Sequence, residues 1–271
     1  PLLLDLNFLV FLAMCLSGVG IFFPDNVDLL HWGADFAPLT LTGDYWRVLT
    51  CNYVHVGLIH LAMNMYALLF IGLFLEPLAG SRRMAMAYVL SGLYASLASL
   101  SVNAEWIAAG ASGAIFGLYG LFFAYLLLRR GGEERRKTLL VSIAVFILYN
   151  LLFGMRDDSV DNAAHVGGLG CGFLLGLAYG MSDKVREKSK RMVVACLAEF
   201  VLLSEFICWF SALTHGMPPD YQDVREVWRS GLLEDYIKNG DSDIHPEEDG
   251  MGQNTEYTVC LLYTSDAADE L

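Results

Sequence analysis

Seven apolar stretches, each close to the roughly 20 residues of helix that cross about 30 Å of hydrocarbon, recur along this chain between short charged loops. They lie near Phe8 to Phe23, Val56 to Leu75, Met84 to Val102, Ile107 to Leu128, Thr138 to Met155, Ala163 to Met181 and Met192 to Leu213. A backbone surrounded by lipid must satisfy its own N–H and C=O groups, so spans of this kind fold as helices. The expected class is all-α, a polytopic membrane helix bundle. Composition agrees: 55% of residues are hydrophobic and 17% charged, and the mean hydropathy of +0.46 is too apolar for an ordinary soluble domain.

Loop charges orient the spans. The loops after spans two, four and six (Arg82 and Arg83, Arg129 to Lys137, Lys184 to Arg191) hold 12 of the 17 Lys and Arg, while those after spans one, three and five carry only Arg47 and Arg156. The positive-inside rule then puts the first group in the cytoplasm, the second outside, and the acidic C-terminal segment outside as well. Spans two, four and six run in the same direction from outside to inside, so their first residues share one depth. His60 and Asn64 open span two, Ser112 span four and His165 span six. Helical rise places all four roughly 5 to 12 Å below the outer surface.

The remaining composition is quieter. The net charge of −13 is concentrated from His215 onward, which holds 14 of the 30 acidic residues and reads as a solvated, disordered extension. Six cysteines show no C-x-x-C pair and no zinc spacing; Cys15, Cys171, Cys196 and Cys208 lie in apolar spans, as small buried hydrophobes do. No cofactor, metal or nucleic acid is expected. Pro1 is not an initiator Met and no basic region precedes the first apolar run, so a truncated start is expected, and Cys260 to Leu271 reads as a translated sequencing adapter.

Ala108-Ala-Gly-Ala-Ser-Gly-Ala-Ile-Phe-Gly117 opens span four with small residues around one serine. A helix beginning near Ser112 would turn its free N–H groups and positive dipole end toward an oxyanion. The nucleophile would need a base, and His165 is the histidine early in a parallel-running span. A packing reading stands beside this one: Gly113-x-x-x-Gly117 and Gly168-x-x-x-Gly172 are also the small-residue pattern of helix interfaces. His60 and Asn64, at i and i+4, share one helical face and offer two donors to a developing negative charge.

In order and spacing, Trp46-Arg47, His55, His60-x-x-x-Asn64, Gly110-x-Ser112-Gly113 and Ala164-His165-x-x-Gly168 resemble the rhomboid family of intramembrane serine proteases over roughly Phe8 to Met181. The resemblance implies a six-helix core and, with span seven, a 6+1 arrangement: core 1–181, inner loop and seventh span 182–214, acidic segment 215–259 and adapter-like end 260–271. It implies hydrolysis of single-span membrane substrates within the lipid bilayer, at a site opening to the extracytoplasmic side. Ser112 and His165 would form a dyad without a third acidic member. Asn64, His60 and the Ser112 N–H would form the oxyanion hole. Trp46, Arg47 and His55 would support the site, as would Gly110, Gly113, Gly168 and Gly172, with Glu76 and Gly80 making contacts at the inner end of span two. Phe116 stands where relatives often carry tyrosine, and stacking on the histidine is expected to persist without the hydroxyl. Glu199 and Glu205 in span seven have no sequence explanation.

Other chemistries lack their residues. No His-Glu-x-x-His pair is present, Gly43-Asp44 lies in a loop, and Ala114 breaks the Gly-x-Ser-x-Gly elbow. No inverted repeat suggests a transporter. An inactive rhomboid-like protein that binds transmembrane segments is the alternative function, although such relatives usually lack the serine or the histidine.

Overall fold

A computed structural model describes residues 1–129, 132–157 and 159–231. The described residues form eleven helices: α1 (Leu2–Leu16), α2 (Asn26–His31), α3 (Ala37–Thr40), α4 (Arg47–Thr50), α5 (Gly57–Ala79), α6 (Ser81–Val102), α7 (Ser112–Leu128), α8 (Glu133–Gly154), α9 (Asn162–Ser182), α10 (Lys188–His215) and α11 (Tyr221–Ser230). No strand occurs among them beyond one isolated bridge between Asp35 and Ala108. Five helices (α5, α6, α8, α9, α10) are long and apolar enough to cross a membrane, and α1 and α7 are shorter apolar helices. The protein is an all-α, multi-pass integral membrane protein.

Helix α7 sits at the centre. Almost every residue from Gly113 to Leu126 is buried, against α9, α6 and α5. Glycines make this possible. A Cβ at Gly168 or Gly172 would collide with the carbonyl oxygen of Gly113 or Gly117, and one at Gly120 with that of Leu169. The small-residue pattern is therefore a packing face in which two helix backbones touch. The same contact sets the spacing of Ser112 and His165, so the packing and catalytic readings of these glycines describe one arrangement.

Helix α8 is the opposite case, with Ile143 and Gly154 its only fully buried residues among those described. Its apolar side chains face outward, as lipid-facing residues do.

Two span boundaries differ from the sequence expectation. Span one, read as Phe8 to Phe23, is helical only over Leu2–Leu16. Gly18 adopts φ +102 and Ser17 Oγ bonds back to Met14 O, which ends the helix and leaves Phe22 and Phe23 in a loop. Span four, read from Ile107, starts as helix at Ser112. Before it the chain is extended: Asp35 N–H donates to Ala108 O and Ala108 N–H to Asp35 O, both at 2.8 Å. Seventeen residues of helix rise about 25 Å, less than the hydrocarbon thickness. As a helix, α7 therefore falls short of a full-length span.

Two further expectations are corrected, and one residue without a sequence explanation gains one. Residues 221–230 form α11 and are not a solvated extension: Val224 is buried, Arg225 pairs with Asp44 at 3.0 Å and Trp228 lies 4.7 Å from the His31 ring. The apolar–polar alternation of this short helix was masked by the acidic composition around it. The rest of the acidic segment, 232–259, and the adapter-like 260–271 lie outside the described residues. Cys196 and Cys208 are exposed on α10, not buried, because α10 presents that side outward. Finally, Glu199 finds partners: its carboxylate accepts from Arg82 and from the Tyr179 hydroxyl, each at 2.8 Å. Glu205 receives the Tyr94 hydroxyl at 3.4 Å. Span seven is thus keyed to α6 and α9 by polar contacts.

Candidate active site

Helix α7 begins at Ser112 with Ala111 at its cap and no side chain capping it. Its first backbone N–H groups therefore have no intrahelical acceptor and point out of the helix end with the dipole's positive pole. Gly110 makes the entry. At φ +129 it holds a conformation that suits glycine, and a Cβ there would lie 2.6 Å from His60 Cε1. Its N–H is anchored to Cys51 O at 2.9 Å.

The parallel helix α9 brings His165 to the serine, with His165 Nε2 3.0 Å from Ser112 Oγ. The imidazole lies against Phe116 with ring centroids 4.1 Å apart and an interplanar angle of 8°. Flat stacking of this kind fixes the ring plane without a hydroxyl, leaving the nitrogens to be oriented by other groups.

Around this pair the other predicted residues fall into two sets. His60 lies next to Gly110 and accepts the Val56 N–H on Nδ1 at 3.3 Å, which leaves its Nε2 as the protonated donor. Asn64 follows one turn later on the same face, buried, with its amide donating to His60 O at 3.0 Å. One amide hydrogen remains free in that geometry. His60 thus lies beside the entry to α7. His55 is fully buried, holds the Tyr53 carbonyl at 3.1 Å through Nδ1, and packs 5.4 Å from the His60 ring. It supports His60 from behind.

Trp46 and Arg47 are further off. The Arg47 guanidinium is buried and donates to Leu30 O at 2.6 Å, to Ala34 O at 3.0 Å and to Asp44, with its Cζ 4.7 Å over the Trp46 ring. It organises the long loop between α1 and α5. Glu76 accepts from Ser81 Oγ at 2.6 Å across Gly80, at the far end of α5. Gly113, Gly168 and Gly172 act through backbone packing, as described above.

Sequence reasoning missed Asp161. It caps α9, its carboxylate accepting the Ala164 N–H at 3.0 Å and an Asn103 amide hydrogen at 2.8 Å from the end of α6. An Asp immediately before an apolar helix is the ordinary signal for such a cap and was available in Asp161-Asn-Ala-Ala-His165. Among the described residues no group of three or more His, Cys, Asp or Glu is placed to hold a metal ion.

A bundle of membrane-spanning helices, with a serine at an uncapped helix start hydrogen-bonded to a histidine on the adjoining helix, defines the class: a polytopic membrane protein with a partly buried Ser–His pair. A family model described as the rhomboid domain matches residues 42–182. Among curated proteins, the chain is 31% identical over 243 residues to rhomboid protease GluP of Bacillus subtilis (strain 168), covering 89% of this chain and 46% of that protein. It is 40% identical over 211 residues to RHOMBOID-like protein 5 of Arabidopsis thaliana, covering 70% and 68% respectively. With RHOMBOID-like protein 1 of the same plant it shares 37% identity over 157 residues, 58% of this chain and 40% of that protein. This chain belongs to the rhomboid family. It spans less than half the length of GluP and of RHOMBOID-like protein 1.

Proposed function

We propose that the protein is an intramembrane serine endopeptidase that hydrolyses peptide bonds in or near the transmembrane segments of single-span membrane proteins. The observation carrying this reading is the 3.0 Å contact between Ser112 Oγ and His165 Nε2 at the uncapped start of α7. Ser112 Oγ attacks the scissile carbonyl carbon while its proton passes to His165 Nε2. The carbonyl oxygen takes the electron pair, and the Ser112 N–H, the free Asn64 amide hydrogen and His60 Nε2–H are available to stabilise it. As the C–N bond breaks, the proton on His165 goes to the leaving amine, giving an acyl-enzyme. A water activated by the same histidine then attacks the ester and restores Ser112. In this reading residues 1–181 form the catalytic core, and the loop charge bias supports a site opening toward the extracytoplasmic side.

The test is cleavage of a single-span substrate by detergent-purified protein, with labelling by a fluorophosphonate probe. Ser112→Ala and His165→Ala each abolish cleavage, and the double variant is hardly worse, because groups acting as one unit are non-additive. Asn64→Ala retains slow turnover, reduced roughly a hundredfold as for one oxyanion donor. Cleavage that survives Ser112→Ala would end the serine-protease reading. A wild-type protein that binds transmembrane segments without cutting them would point to the inactive rhomboid-like alternative.

A further inference from the structure

Helix α8 meets the bundle along a narrow strip. Val141, Val145, Leu148 and Tyr149 are exposed, while Ile143 is buried and Phe146 is half-buried against the core. The Phe146 ring stacks on Tyr119 of α7, with centroids 4.3 Å apart and planes 20° from parallel. It also meets Phe116, three residues earlier on α7, at 6.3 Å and 37°. Residues three apart on a helix are neighbours on its surface, so one α8 side chain is set against two adjoining rings of α7.

One of those rings holds the base. Phe116 lies 4.1 Å from the His165 imidazole at an interplanar angle of 8°, and His165 Nε2 stands 3.0 Å from Ser112 Oγ. A hydrogen bond weakens steeply as its angle closes, so the plane of the imidazole matters to proton transfer. The Phe116 ring has no polar atom with which to fix its own plane. The torsion that turns such a ring is broad, and packing must therefore set it. Among the described residues the aromatic neighbours of Phe116 are His165 and Phe146.

We propose that Phe146 is a positioning residue of His165: from α8 it braces the Phe116 ring, and the braced ring holds the imidazole in line with the Ser112 hydroxyl. This rests on the Ser–His reading above and adds to it a dependence on how α8 is seated. Tyr119 completes the arrangement by holding the Phe146 ring from α7.

The experiment measures fluorophosphonate labelling of Ser112 in the detergent-purified full chain over a range of probe concentrations, which separates the maximal rate from the half-saturating concentration. In the labelling step the Oγ–P bond forms, fluoride leaves and the serine proton passes to His165. Phe146→Leu keeps an apolar side chain and removes the ring. It is expected to lower the maximal rate about three- to tenfold, with the half-saturating concentration within about twofold of wild type, because alignment of the base is lost and probe binding is not. Phe146→Tyr, which keeps the ring, restores most of the rate. Ile143→Ala loosens α8 at a buried position away from the rings; it is expected to lower the thermal midpoint and to leave the maximal rate within about twofold of wild type. In the Phe116→Leu background, Phe146→Leu slows labelling by less than about a further twofold, since its effect passes through the ring already removed. Four outcomes overturn the proposal: Phe146→Leu labelling at the wild-type maximal rate, Phe146→Tyr as slow as Phe146→Leu, an equal slowing by Ile143→Ala, or the same loss with and without Phe116. Failure of the underlying reading is separate, because wild type would then label no faster than Ser112→Ala.

Discussion

Asp35 is a buried carboxyl in the loop between α1 and α5, and its environment pulls in two directions. Burial pushes its pKa up from 3.8 to about 7, while the Thr40 hydroxyl and the Arg47 charge oppose the rise and Asp161 adds to it. The native state therefore holds a proton that the unfolded chain releases. Its stabilising contribution is fully present below pH 3.8 and is lost as pH rises through about 7. The thermal midpoint is expected to fall over that window in wild type, and Asp35→Asn is expected to flatten the fall; an unchanged slope in the variant would assign the effect elsewhere. Because Asp35 pairs through its backbone with Ala108, four residues before Ser112, the same variant reports on the entry to the site. At this scale Ser112, His165, His60 and Asn64 stood out in the sequence as candidates, because polar groups are rare in apolar spans and their rarity marks them. Asp161 was not singled out, since one acid in a loop reads as solvated until a helix starts beside it for it to cap.

The elements raise a different question, namely how close two helices can come. Helices α7 and α9 meet backbone to backbone, and Gly172 is the tightest point against Gly117. Gly172→Ala is expected to destabilise the protein by about 1–3 kcal/mol through overpacking and to slow probe labelling by drawing His165 away from Ser112. Gly170 lies on the same helix with no atom within 4 Å of the Cβ position, so Gly170→Ala should leave both thermal midpoint and labelling near wild type. Equal effects of the two substitutions would remove the packing argument. The pattern Gly-x-x-x-Gly was visible in the sequence, but which helix it faced was not, since periodicity describes a face and never its partner. The early end of α1 at Gly18 and the late start of α7 at Ser112 were missed for a related reason: both flanks are apolar, and hydropathy does not register a change from helix to extended chain.

For the whole molecule, orientation rests on a charge bias of 12 to 2 between the two sets of loops. With the native cysteines replaced, Glu134→Cys is expected to resist an impermeant maleimide in intact cells and Asp157→Cys to react; the reverse pattern would invert the topology. Helix α11 belongs to this scale too. It returns to the loop between α1 and α5, where Asp44 receives both Arg47 and Arg225, and so joins the chain beyond α10 to the part before α5. What the sequence by itself determined was the all-α membrane class, the approximate spans and the candidate residues for chemistry, because these follow from local composition, apolar length and the rarity of polar groups in lipid. Only the tertiary structure decided that α7 starts at the serine, that Phe116 stacks on His165, that Glu199 meets Arg82 and that Asp161 receives Asn103 from the end of α6. Each of these depends on which distant segments share a surface. Hydrogen bonding and burial are properties of such pairings, and no single stretch of chain contains them.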